Sequence, residues 1–168
     1  MRQTHIESPE LVGLRVGKYR ITGVLDSGGM GDVYLAEHVE IRQRAALKLL
    51  SPARCLDEAH RQALQREARI SGRLSHPGLV KVYDVGELAG RPYLFMEYVE
   101  GRTLRSWLDE HGALPKLQAL RFARQLAEVL GVVHEAAVVH LDMKPENVMV
   151  VVDAQVLGGY RCRVLDFG

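Results

Sequence analysis

The run Val139-His140-Leu141-Asp142-Met143-Lys144-Pro145-Glu146-Asn147 places an imidazole, a carboxylate, an ammonium and an amide within the eight residues from His140 to Asn147. Such a run could present a carboxylate, an ammonium and an amide to one point. The run is polar, contains a proline, and leads straight into the apolar stretch Val148 to Val152. It therefore reads as a loop that presents side chains at the mouth of a strand. An ordinary polar loop is the alternative, and it leaves this density of functional groups unexplained. His140, which follows two valines, is by itself read as a satisfied core histidine.

Three further features could act with that loop. Leu25-Asp26-Ser27-Gly28-Gly29-Met30-Gly31-Asp32-Val33-Tyr34 is a glycine cluster between two strand-like runs. Without Cβ atoms, backbone N–H groups there can approach phosphate oxygens, although a flexible hairpin tip has the same composition. Lys48 interrupts the apolar run Ala45 to Leu50, so it either snorkels out of the strand or meets an anion. Glu67 falls in register with Leu64, Ile70 and Leu74 on a helical repeat, and a carboxylate facing a core calls for a cation. Lys48 is the nearest unexplained one; a tilted helix with Glu67 in water is the alternative. Asp166, in Asp166-Phe167-Gly168 after a short strand, is a weaker candidate for a metal ligand.

The chain that must position these groups has 168 residues, 47% hydrophobic and 26% charged, with 22 basic and 21 acidic residues. A net charge of +1 gives no basic excess for nucleic acid or an anionic membrane surface. Cys55 and Cys162 have no metal or disulfide spacing and read as reduced core residues. No window approaches a membrane span, and the N-terminus has charge where a signal peptide needs an apolar run, so a cytoplasmic protein is expected.

Residues 1–17 read as a loose lead-in. Strands are expected around Tyr19 to Leu25, Val33 to Ala36, Ala45 to Leu50, Leu79 to Tyr83 and Tyr93 to Val99, with one helix between Asp57 and Ser75. Beyond Gly101 come a short helix from Leu104 to Asp109 and a long one opened by Leu114-Pro115. The apolar face of the long helix is drawn through Leu117, Leu120, Ala123, Leu126, Ala127, Leu130 and Val133. A hairpin through Gly158-Gly159 ends the order, giving an α+β chain of two lobes.

Taken together and in this order, the glycine turn, Lys48, Glu67, the His140–Asn147 loop and Asp166-Phe167-Gly168 resemble a protein kinase of the bacterial serine/threonine type. The resemblance implies a two-lobe fold, with a complete five-stranded N-lobe and its helix at 18–97, a hinge at 98–101, and the first part of a helical C-lobe at 102–168. It implies ATP and Mg²⁺ as cofactors and a protein with a serine or threonine acceptor as substrate. Leu25, Gly28, Gly29 and Gly31 would cover the nucleotide, and Val33, Ala46 and Met149 would enclose the adenine. Met96 would be the gatekeeper, and the backbone from Glu97 to Val99 would meet the adenine edge. Lys48, paired with Glu67, would hold the α- and β-phosphates. Asp142 would accept the substrate proton, Lys144 would neutralise the moving phosphoryl, and Asn147 with Asp166 would hold the metal.

The chain departs from the family pattern at Asp26, which takes a glycine position, and at Leu141, which replaces an arginine associated with control by phosphorylation. No counterpart of the activation segment follows Gly168, so the chain is expected to be an N-terminal fragment, inactive alone, with the apolar face of the long helix left exposed. A non-catalytic module that binds nucleotide or a partner is the alternative reading. A small-molecule phosphotransferase is another, against which Lys144 and the glycine turn speak.

Overall fold

The computed structural model describes residues 11–28 and 31–165. They divide into two compact units: the first runs through Ala68 and resumes over Val82–Tyr98, and the second takes Arg69–Lys81 and the chain from Val99 onward. Each unit has its own core, as expected for an α+β chain of two lobes.

The first unit is an antiparallel sheet of β1 (Arg15–Val16), β2 (Tyr19–Gly28), β3 (Gly31–His38), β4 (Arg44–Leu50), β5 (Val82–Leu88) and β6 (Arg91–Glu97), with α1 (Pro52–Cys55) and most of α2 (Glu58–Ser71). The strand order is β1-β2-β3-β4-β6-β5. The expected five strands are β2 to β6; β1 is an addition, too short for any periodicity to announce. The lead-in expected to residue 17 is not loose where it is described, since Leu11 and Val16 are buried in the sheet core.

Strand alternation separates two faces. Register pairs Tyr34 with Leu47, Ala36 with Ala45 and Leu47 with Phe95, and these residues belong to one buried cluster with Ile21, Leu49 and Tyr93. Tyr19 stacks on Phe95 with ring centroids 4.3 Å apart. Each fully buried side chain of this kind contributes about 1.5–3 kcal/mol relative to exposure. The opposite face carries Val33 across from Lys48, and Ala46 across from Met96.

The strand expected at Leu79 to Tyr83 begins at Val82 and runs to Leu88. Leu79 and Val80 serve the second unit instead: Val80 N–H donates to the Val164 carbonyl, and Leu79 packs with Val129, Val133 and Val164. β5 is an edge strand, mostly exposed, so its few apolar residues gave little alternation to read. Its turn into β6 has positive φ at both Ala89 (50°) and Gly90 (79°), which matches the right-handed strand twist in a tight hairpin.

The second unit holds β7 (Arg102–Thr103), α3 (Leu104–His111), α4 (Lys116–Glu135), β8 (Val148–Val152) and β9 (Tyr160–Val164). Its three-stranded sheet has the order β7-β8-β9. Thr103 caps α3, its Oγ1 accepting from the Ser106 N–H at 3.1 Å. α4 corrects the expected face. The side chains that pack inward are Phe122, Leu126, Val129 and Val133, whereas Leu117 and Leu120 are 60% and 59% exposed. The inward side chains meet Val148, Val150, Cys162 and Val164 of the hairpin, while Leu117 and Leu120 leave part of the apolar face exposed, as expected.

Candidate functional site

The pairing of Lys48 with Glu67 follows from strand and helix periodicity. Lys48 occupies the sheet face opposite the aromatic core, and α2 brings Glu67 to it. Nζ lies 3.1 Å from Oε2 and 3.4 Å from Oε1, with the side chains 18% and 5% exposed respectively. A carboxylate so buried is stabilised by its cation, so the reading of Glu67 as a solvated residue is overturned. Lys48 neither snorkels nor lies idle.

Around the glycine turn, Ser27 pairs with Asp32 and Gly28 with Gly31 across β2 and β3. Gly31 has φ of 142°, and a Cβ there would stand 2.2 Å from the Leu49 carbonyl oxygen, so only glycine lets β3 start so close to β4. Leu25 lies where β2 slips register between Val24 and Asp26, and it is exposed. Asp26 turns its Oδ1 onto the Ser27 N–H at 2.8 Å, so this carboxylate at a glycine position is engaged with local backbone. Gly29 lies outside the described residues.

The His140–Asn147 loop is built by tight local bonds. Leu141, with φ of 59°, forms a narrow turn in which the Asp142 N–H donates to the His140 carbonyl at 2.7 Å. A non-glycine residue in this conformation costs of order 1–3 kcal/mol, and Leu141 pays it on the surface while His140 is buried. Pro145 then opens a short 3₁₀ turn, Pro145–Asn147, where its missing N–H costs nothing. Within this frame Lys144 Nζ donates to Asp142 Oδ2 at 2.6 Å. Asn147 Nδ2 donates to the Asp142 carbonyl at 2.9 Å and to Oδ2 at 3.1 Å. The Lys144 ammonium, with the Asn147 amide adding to it, holds the Asp142 carboxyl below its ordinary value.

With its nitrogen donating to Asp142, Asn147 can offer its amide oxygen as a metal ligand, and the nearby carboxylate can offer oxygen as well. Those atoms fit a hard cation such as Mg²⁺. Asp166, the second expected ligand, lies outside the described residues.

The residues expected around an adenine divide between the units. Val33, Ala46 and Met96 share the sheet face of Lys48, and Glu97 ends β6, while Val99 and Met149 belong to the second unit, with Met149 half-buried on β8. Sequence reading missed Arg91. It is buried at the start of β6, with Nη2 3.2 Å from Asp32 Oδ2 and Nε donating to the Leu50 carbonyl at 2.8 Å. The available signal was an arginine placed directly before the apolar strand Pro92 to Met96.

A family model described as a protein kinase domain matches residues 19–168. The serine/threonine-protein kinase PknD of Mycobacterium tuberculosis is 39% identical over 139 residues, covering 83% of this chain and 21% of that protein. The serine/threonine-protein kinase pkn2 of Myxococcus xanthus is 38% identical over 152 residues, covering 90% and 18%. PrkC of Bacillus subtilis, another serine/threonine-protein kinase, is 36% identical over 141 residues, covering 83% and 22%. The crystal structure of the M. tuberculosis PknI kinase domain superimposes with a TM-score of 0.78 at 32% identity, covering 93% of this chain and 62% of that one. The chain thus spans about a fifth of the length of these curated relatives.

Proposed function

The chain belongs to the protein kinase family, and on that premise we propose that it carries the phosphoryl-transfer groups of a bacterial-type serine/threonine protein kinase. The reaction is transfer of the γ-phosphoryl of Mg-ATP to a serine or threonine hydroxyl of a protein. The observation that carries this reading is the convergence of Lys144 and Asn147 on Asp142 Oδ2. One oxygen of Asp142 is anchored, which leaves the carboxylate ionised and fixed in direction, the condition for accepting a hydroxyl proton as the nucleophile attacks.

In this reading Lys144 offsets charge on the transferring group, and Lys48, held by Glu67, takes the α- and β-phosphates. Leu25, Gly28, Gly29 and Gly31 cover the nucleotide; Val33, Ala46 and Met149 enclose the adenine, with Met96 as gatekeeper and the backbone of Glu97 to Val99 at its edge. Asn147 and Asp166 hold magnesium, whose charge neutralises the phosphate oxygens. The near-balanced charge and the free thiols of Cys55 and Cys162 support a cytoplasmic location. Among the described residues no helix is long and apolar enough to cross a membrane.

Because the chain covers 62% of the solved kinase domain it resembles, we expect the 168-residue chain to bind nucleotide without useful transfer. Mg-ATP should raise its melting temperature, and Lys48→Met should remove the shift; an unchanged melting curve in the parent chain counts against the reading. Labelled phosphate passed from ATP to a basic protein, and lost in Asp142→Asn, would show that the chain is itself competent.

A further inference from the structure

The facing ends of β2 and β3 are tied down from an unexpected side. Arg91 is 8% exposed, and its guanidinium reaches two other strands: Nε donates to the carbonyl of Leu50, the last residue of β4, and Nη2 lies 3.2 Å from Asp32 Oδ2 near the start of β3. Asp32 Oδ1 accepts from Ser27 Oγ at 2.9 Å, which carries the connection across to β2. Regular pairing of β4 with β6 ends at Leu49 and Tyr93, so the arginine bridges the strands just past the end of their ladder. There Gly31, pressed against β4, faces Leu50 across the β3–β4 pair.

A side chain at the root of a hairpin could serve the sheet alone. The identity of its partner says more. Asp32 is a carboxylate one residue from Gly31, and the buried guanidinium reaches it through Nη2 while Nε holds the Leu50 carbonyl, two directed bonds from one planar fork that an ammonium cannot reproduce. If the turn covers phosphates, an uncompensated carboxylate at its root repels the ligand. We propose that Arg91 is a positioning residue for the nucleotide-covering turn: acting through Asp32, it fixes the root of the turn and cancels a negative charge that would oppose phosphate binding. The inference rests on the nucleotide-binding reading above.

The test compares Mg-ATP with adenosine, which has no phosphates, by titrating the 168-residue chain and following intrinsic fluorescence or heat. Arg91→Met should weaken Mg-ATP on the order of tenfold while adenosine changes less than about twofold. Adding Asp32→Asn to Arg91→Met should recover most of the Mg-ATP affinity, because it removes the stranded charge. A purely structural arginine would weaken both ligands alike and would not be rescued in this way; either result overturns the proposal. If Arg91→Met does not fold, Arg91→Lys takes its place. It keeps a charge but not the fork, and it should weaken Mg-ATP selectively and by less, equal loss of both ligands again being fatal. Parent chain that binds neither ligand overturns the nucleotide reading itself, and this inference with it. Parent chain that binds Mg-ATP, with Arg91→Met unaffected, overturns this inference alone.

Discussion

Asp142 and Glu67 are both carboxylates next to lysines, yet solvent makes their energetics different. Asp142 is partly exposed, so Lys144 sets its proton affinity and direction more than it sets stability. Its carboxyl loses its proton at a lower pH in the folded chain than in the unfolded one. The associated stability is therefore present above the unfolded value and is lost as pH falls through the folded value. Lys144→Met removes the largest cause, so a carboxyl NMR titration should show the Asp142 pKa rising toward its ordinary value; no movement would mean Lys144 is not the controlling group. Glu67, by contrast, is buried. Its removal takes a close carboxylate from the Lys48 ammonium, which keeps some contact with water, and Glu67→Ala should cost roughly 1–3 kcal/mol in urea unfolding. A loss no larger than that of an exposed glutamate on the same helix, such as Glu58, would contradict the burial.

At the level of elements, β9 shows how an edge strand is protected. On one side it pairs with β8. Beyond that ladder, Val80 N–H donates to the Val164 carbonyl and Val164 N–H donates to the Gly78 carbonyl. Gln125 of α4 completes the cover: Nε2 donates to the Tyr160 carbonyl at 3.0 Å and Oε1 accepts from the Cys162 N–H at 2.9 Å. Gln125→Leu keeps the volume but abandons both groups, and it should destabilise the second unit by about 1–3 kcal/mol, measured by denaturant unfolding. The same residue explains why the α4 face was misdrawn. An apolar count follows Leu117, Leu120 and Ala123, whereas the helix is turned by Phe122, Val129 and a glutamine that reads as surface in any sequence pattern.

At the scale of the molecule, each unit has apolar clusters of its own, and Trp107, the only tryptophan in the sequence, packs against one in the second. It meets Tyr160 edge-on with centroids 4.9 Å apart, in the cluster that buries Cys162. Burial pushes the Cys162 thiol up to about 12, so it is protonated and shielded at neutral pH. Alkylation of Cys162 should therefore wait for unfolding and follow the same urea midpoint as Trp107 fluorescence. Labelling of Cys162 in native buffer at the rate of a free thiol would contradict this packing. Loss of the Tyr19–Phe95 core, which lies in the first unit, need not coincide with that midpoint.

What the sequence determined by itself is the set of chemical groups and their order. Lys48 in an apolar strand, Glu67 in a helical stripe and Asp142, Lys144 and Asn147 in one loop are local signals, legible because strand and helix periods and short loop spacings are properties of neighbouring residues. The β2, β3, β4 and β6 strands and the α+β class were readable for the same reason. What only the tertiary structure decided are the contacts between distant segments: Leu79 and Val80 joining β9 rather than β5, the rotation of α4, Gln125 on the edge of β9, and Arg91 reaching Asp32 across 59 residues. Such contacts depend on which surfaces the folded backbone brings within about 3 Å of each other, and a hydrogen bond's direction and reach leave no periodic trace in the chain.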